Sequence, residues 1–221
     1  MPQKLVAPES VAQATIEKLQ AERHAYEAEA VFNELQSDRL KRLWSEEMSS
    51  VEHQRVYDFV TDVNEVTVYR AMRTLSEWSH RSKDPIVIRF NTPGGEYIPG
   101  MALFDYIDSL VTQGIEVTTV ALGMAASFGA VLLQSGSNRL IGPNAWLMIH
   151  EVSAMSTGKL SEMMDETKWT DRAQDRMLDI LSSRSKMNKT QIRNKWRRKD
   201  WWLDSEESLR YGFVDGIGTG V

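Results

Sequence analysis

Between Leu122 and His150 the chain reads LGMAASFGAVLLQSGSNRLIGPNAWLMIH, and no other stretch constrains the fold as tightly. The mostly small residues Gly123-Met124-Ala125-Ala126 predict a turn that delivers Ser127 onto an apolar run, Phe128 to Leu133. A second apolar segment, Ala145 to Ile149, predicts a strand that stops at His150. A serine entering a helix from a tight turn is held near the helix N-terminus, where free N–H groups and the helix dipole favour negative charge. A histidine closing a strand stands where sheets present catalytic groups, so the two residues read as nucleophile and general base. The same letters also describe an ordinary, tightly packed strand–helix corner. Two further features favour chemistry: Asn91-Thr92-Pro93-Gly94-Gly95, a glycine pair directly after an apolar strand, and Asp200, at the end of the last long polar segment. Serine, histidine, an acid and a backbone turn able to aim N–H groups at an oxyanion form a complete set for acyl transfer.

Around this stretch, strand and helix patterns alternate. Arg55-Val56-Tyr57-Asp58-Phe59-Val60 predicts a strand, and Val66 to Trp78 a helix with Tyr69, Met72 and Leu75 on its apolar face. Ile86 to Phe90 is a strand, Met101 to Val111 a helix, Ile115 to Ala121 a strand and Ser127 to Gln134 a helix. Such alternation argues for an α/β fold with mostly parallel strands. A long helix follows from about Lys159 to Ser185, with Met163, Met164, Met177, Leu178 and Leu181 as its apolar stripe, read as packing rather than a cofactor box. Asn188 or Thr190 begins a short helix, Asp204 or Ser205 caps another that stops at Gly212, and Phe213 to Ile217 is a closing strand.

Residues 10 to 50 are rich in Glu, Ala, Gln, Lys and Arg without Gly or Pro, which favours helix. Ile16, Leu19, Tyr26, Phe32, Leu35, Leu43 and Trp44 recur at roughly helical intervals, with Ser10 as N-cap and a break at Ser37-Asp38. The expected organisation is an N-terminal helical extension over 1–50 and one domain over 51–221.

The net charge of −5 argues against a nucleic-acid surface, and the absence of cysteine excludes disulfides and thiol chemistry. No metal site or cofactor motif is present. No secretory leader or membrane span is legible, so the expectation is a cytoplasmic protein without a membrane partner. Lys195-Trp196-Arg197-Arg198-Lys199 reads as an interface or solvated face. Glu151, beside the base, reads either as a solvent-facing residue or as a carboxylate that orients the histidine. The other histidines make poor bases: His24 lies in the charged extension, His53 before the first strand, and His80 at a helix end beside Arg81. Spacing does not select the acid among Asp165, Asp171, Asp175, Asp179, Asp200 and Asp204. The helix acids read as a solvated face and Asp204 as a helix cap, which leaves Asp200 without a structural task.

The segments NTPGG (Asn91 to Gly95), GMAASFGAVLL (Gly123 to Leu133), PNAWLMIH (Pro143 to His150) and DWWLDSEESLRYGFVD (Asp200 to Asp215) together resemble the ClpP family, the proteolytic subunits of the Clp protease. The likeness spans roughly residues 52 to 219, in the family's order. It departs at Phe128, where the family usually carries Met, at Glu151-Val152 in place of Gln-Pro, and in the long N-terminal segment in place of a short gating loop. The resemblance implies a crotonase-like spiral of β-β-α units with a protruding handle helix over about 152–186. It implies a triad of Ser127, His150 and Asp200, an oxyanion hole from the backbone N–H groups of Gly95 and Phe128, and substrate paired as a strand along Gly94 and Gly95. It further implies a homo-oligomer of stacked rings (two heptamers), protein or peptide substrates and an AAA+ unfoldase partner. A phage ClpP-related head maturation protease is the alternative with the same chemistry. A non-catalytic ring scaffold and a crotonase-fold acyl-CoA enzyme are the alternatives without it.

Overall fold

The computed structural model describes residues 55–153 and 157–220, together with scattered residues between 13 and 38. The chain divides into two units, Met1–His53 and Gln54–Val221. In the first, the described residues are helical and exposed, with the i,i+4 ion pairs Lys18–Glu22 at 3.8 Å and Arg23–Glu27 at 2.8 Å. The expected cap at Ser10, the apolar positions Ile16, Phe32, Leu43 and Trp44, and His53 lie outside the described residues.

The second unit is built on a seven-stranded sheet. In chain order it runs β1 (Val56–Phe59), α1 (Glu65–Arg81), β2 (Ile86–Thr92), α2 (Tyr97–Thr112), β3 (Val117–Ala126) and α3 (Phe128–Leu132). Then follow a 3-10 turn (Leu133–Ser135), β4 (Asn138–Ile141), β5 (Trp146–Ile149), α4 (Leu160–Ser183), α5 (Lys189–Trp196), β6 (Trp201–Leu203), α6 (Ser205–Tyr211) and β7 (Gly216–Ile217). Strands β1, β2, β3, β4 and β7 lie side by side and parallel. Parallel pairing requires crossovers, and α1 and α2 supply the first two. Each buries one stripe: Val68, Ala71, Leu75 and Trp78 from α1, Leu103, Ile107 and Leu110 from α2. Against them stand the inward residues of the strands, Ile86, Ile88, Phe90, Val117 and Ala121 among them. Burying each such side chain fully contributes about 1.5–3 kcal/mol.

The alternation of strand and helix is as the sequence predicts, but several details differ. Tyr69 is 66% exposed, because Val68 and Ala71 take the core positions of α1. The expected turn at 123–126 is strand: β3 continues to Ala126, with the backbone kinked at Gly123, φ 74°. The kink changes the neighbour of β3. Thr118 to Ala121 pair with β4, whereas Met124 to Ala126 pair with β5. The side chain of Asn91 holds the kink, its Oδ1 accepting the Met124 N–H at 3.3 Å. The short strands β4 and β6 escape the sequence reading, and the closing strand shrinks to Gly216–Ile217. In α4 the stripe divides: Met177, Leu178 and Leu181 are buried, while Met163 and Met164 are exposed, Met164 by 55%.

One buried arginine ties the sheet to its C-terminal half. Arg139 on β4 pairs with Asp215, donates to Gln134 Oε1 at 2.8 Å and to the carbonyl of Phe213 at 3.3 Å, and also reaches the Arg184 carbonyl.

Candidate active site

Ser127 sits between the end of β3 and the first residue of α3, with φ 53° and ψ −119°. A non-glycine residue with such angles is strained by about 1–3 kcal/mol and persists only where its surroundings fix it. Here the Ser127 N–H donates to the Met148 carbonyl at 2.8 Å, and the Ser127 carbonyl accepts from Ala130 N–H at 3.1 Å. The Ser127 backbone therefore hangs from β5, the same strand that ends at His150. The pairing of β3 with β5, Ala125 opposite Leu147 and Ala126 opposite Met148, carries both residues to one end of the sheet. There His150 Nε2 lies 2.7 Å from Ser127 Oγ. That distance lets the imidazole accept the hydroxyl proton as oxygen attacks carbon.

The Asn91–Gly95 segment folds against this corner. Gly94 has φ 96° and Gly95 φ 148°. A Cβ on Gly94 would lie 2.6 Å from Ser127 Cβ and 2.8 Å from Phe128 N, and one on Gly95 would lie 2.2 Å from the Val63 carbonyl oxygen. No other residue type fits at either position. Val63 fastens the turn, donating to the Gly94 carbonyl and accepting from Glu96 N–H, each at 2.8 Å. Among the described residues, neither the Gly95 N–H nor the Phe128 N–H is given to another protein group. The latter is free because the first helical residue has no intrahelical acceptor.

A cavity of 420 Å³ opens on Ser127 and His150. Gly95 to Pro99 and Phe128 form one wall, Glu151 to Ser153 follow the histidine, and Glu166, Trp169 and Met177 reach in from α4. Phe128 is only 2% exposed and meets Tyr97 edge to face, with centroids 5.8 Å apart. Tyr97 in turn meets Trp169 at 5.3 Å. Burial pushes the Tyr97 phenol up, with Arg176 acting the other way and Asp105 adding to it, so its hydroxyl stays protonated.

Asp200 is exposed and directly precedes β6. The antiparallel register Leu147↔Leu203, Met148↔Trp202, Ile149↔Trp201, continued by one step, sets Asp200 opposite His150. Among the described residues no hydrogen bond joins the two. The remaining acids lie elsewhere: Asp175 pairs with Arg193 at 2.6 Å, Asp165 with Lys168 at 3.0 Å, and Asp204 caps α6 by accepting the Glu207 N–H at 2.7 Å. Glu151 lines the cavity. In the basic cluster, Trp196 is buried and Lys195 lies over the rings of Trp201 and Tyr211. His80, at the end of α1, hydrogen-bonds the Ser76 carbonyl at 2.7 Å. Among the described residues no group of three or more His, Asp or Glu could hold a metal ion, and no helix is long and apolar enough to cross a membrane.

The contributions of Tyr97, Glu166 and Trp169 escape the sequence reading. Trp169 is the one legible signal, the sole aromatic residue of a helix otherwise dominated by charge and methionine.

Comparison with known proteins places the chain in one family. The Clp protease family profile matches residues 39–220. The chain is 37% identical over 139 residues to ATP-dependent Clp protease proteolytic subunit 2 of Tropheryma whipplei, covering 62% of this chain and 75% of that one. It is 30% identical over 190 residues to subunit 1 of Leifsonia xyli, covering 85% and 87%. With the proteolytic subunit of Streptococcus uberis it shares 34% over 137 residues, 60% and 67% of the two chains.

Proposed function

Because the chain belongs to the Clp protease family and is a serine-type peptidase, we propose that it cleaves peptide bonds through Ser127 and His150, with Asp200 as the third member of a triad. The observation that carries this reading is the 2.7 Å contact between His150 Nε2 and Ser127 Oγ at the mouth of a cavity. Ser127 Oγ attacks the scissile carbonyl carbon while His150 takes its proton. The resulting oxyanion is received by the N–H groups of Gly95 and Phe128, each contributing about 3–4 kcal/mol to transition-state stabilisation. His150 then protonates the departing amine, and water, deprotonated by the same imidazole, releases the acyl group from Ser127. The cross-strand position of Asp200 supports its role: with the end of β6 drawn toward His150, its carboxylate would accept the Nδ1–H of the imidazole and fix the tautomer. Substrate lies extended along Gly94 and Gly95, bonded through its main chain, which supplies affinity and leaves selectivity to the side-chain pockets.

The relatives' names describe proteolytic subunits of an ATP-dependent protease. By analogy this chain works as a ring-forming homo-oligomer supplied with unfolded protein by an ATP-dependent unfoldase. The exposed Leu160, Met163 and Met164 at the start of α4 suit a contact between copies. Intact and native mass spectrometry after treatment with a fluorophosphonate tests both parts. One adduct per chain is expected on wild type and none on Ser127→Ala, on particles of ring mass. An adduct surviving in Ser127→Ala removes the nucleophile assignment, and a monomer under all conditions removes the ring.

A further inference from the structure

The cavity beside the nucleophile carries an unbalanced charge. Three carboxylate residues line it, Glu96, Glu151 and Glu166, and no lysine or arginine does. None of the three has a hydrogen-bond or ion-pair partner for its carboxylate among the described residues, and they are not grouped to hold a metal ion. Of the cations on α4, Lys168 is paired with Asp165 at 3.0 Å, Arg172 stands outside the lining, and Arg176 acts on the Tyr97 hydroxyl from outside it as well.

A second feature of the same wall points to the same ligand. Glu166 and Trp169 stand one turn apart on α4, the i,i+3 spacing that places side chains side by side. Trp169 is steadied by Tyr97, their rings at 81°, yet it is 43% exposed within the cavity wall. An indole with an open surface beside an unpaired carboxylate attracts a cation through both ring and charge, while its apolar body covers the aliphatic stem of a lysine or arginine.

Resting on the peptidase reading above, we infer that this cavity selects a lysine or arginine at the residue supplying the cleaved carbonyl, with Glu166 and Trp169 as the specificity-determining pair. Glu96 and Glu151 contribute the surrounding negative potential. A neutral aliphatic side chain fits the same space but leaves the carboxylates without a counter-charge.

The test compares fluorogenic peptides that differ at this one residue, lysine against norleucine and arginine against citrulline, on the full-length protein. For wild type at low salt, kcat/KM is expected to favour the charged member of each pair about tenfold, and the ratio to shrink as ionic strength rises. Glu166→Gln and Trp169→Leu should each reduce the ratio several-fold. The ratio is the readout, so a general loss of activity in a variant does not mimic the effect. Equal cleavage of both members by wild type, or a ratio unmoved by both substitutions, overturns the inference while leaving the peptidase intact. If no peptide is cut and Ser127 takes no fluorophosphonate, the peptidase reading has failed and this inference with it.

Discussion

Gly100, in the first turn of α2, lies directly under the ring of Phe128: a Cβ there would stand 2.3 Å from the ring edge. The aromatic residue after Ser127 is thus seated in a space that only glycine leaves open. Gly100→Ala should cost about 1–3 kcal/mol by overpacking and lower turnover by displacing the Phe128 backbone. Adding Phe128→Ala should return part of that stability, so a denaturant double-mutant cycle would be non-additive. Additive costs would mean that the two residues do not share this space.

Ser127→Ala is expected to lower peptidase turnover by about 10³-fold or more, because oxyanion donors and binding alone sustain only residual catalysis. Circular dichroism should remain that of wild type, since the strained backbone at Ser127 is fixed by its N–H bond to Met148 rather than by the hydroxyl. Turnover within a few-fold of wild type would falsify the nucleophile.

Asp200 and Asp204 should separate cleanly. Asp200→Asn is expected to reduce turnover by about 10²–10⁴-fold with little loss of stability, since the residue is exposed and its proposed task is to orient His150. Asp204→Ala should cost about 1 kcal/mol and keep most activity, because the residue forms a capping box with Glu207. Thermal unfolding and steady-state kinetics on both variants decide it. Exchanged phenotypes would reassign the acid.

Asp215 gives a pH signature. Burial alone would raise its carboxyl, but the hydrogen bonds and charge of Arg139, with Arg184 behind them, outweigh burial and hold it below the ordinary carboxylate range. A group whose pKa falls on folding adds stability that is complete above its unfolded value, about 3.9, and is lost as pH drops through the folded value. Stability measured by urea unfolding should therefore decline below about pH 4. Asp215→Asn should blunt that decline and cost about 2 kcal/mol at neutral pH, less than for a fully buried pair because the carboxylate is partly solvated. An unchanged acid limb in the variant would show that other carboxylates govern it.

The parallel α/β core was legible because its strands are continuous apolar runs punctuated by Pro85, Gly114 and the Gly94-Gly95 pair. Ser127 and His150 were legible for a related reason: each stands at the sharp end of such a run. The path of β3 was not, since GMAA has small residues that suit turn and strand alike, and only pairing with Trp146, Leu147 and Met148 decides for strand. The strands β4 and β6 were hidden by brevity, their pairing supplied by neighbours distant in sequence. Trp169 and Glu166 were hidden because helical periodicity reports which side of α4 is apolar but not which residue meets the cavity.

The change of neighbour along β3 also bears on timing. Ser127 and His150 come within hydrogen-bond distance only through the short ladder from Met124 to Ala126, which forms on the far side of the Gly123 kink from the ladder to β4. A chain that has built β1 to β4 but not yet docked β5 holds a serine with no base and no acceptor for its N–H. If Ser127 and His150 act as proposed, hydrolytic competence is acquired no earlier than the docking of β5, and a copy in which that strand is still undocked lacks the pair that would cut a peptide.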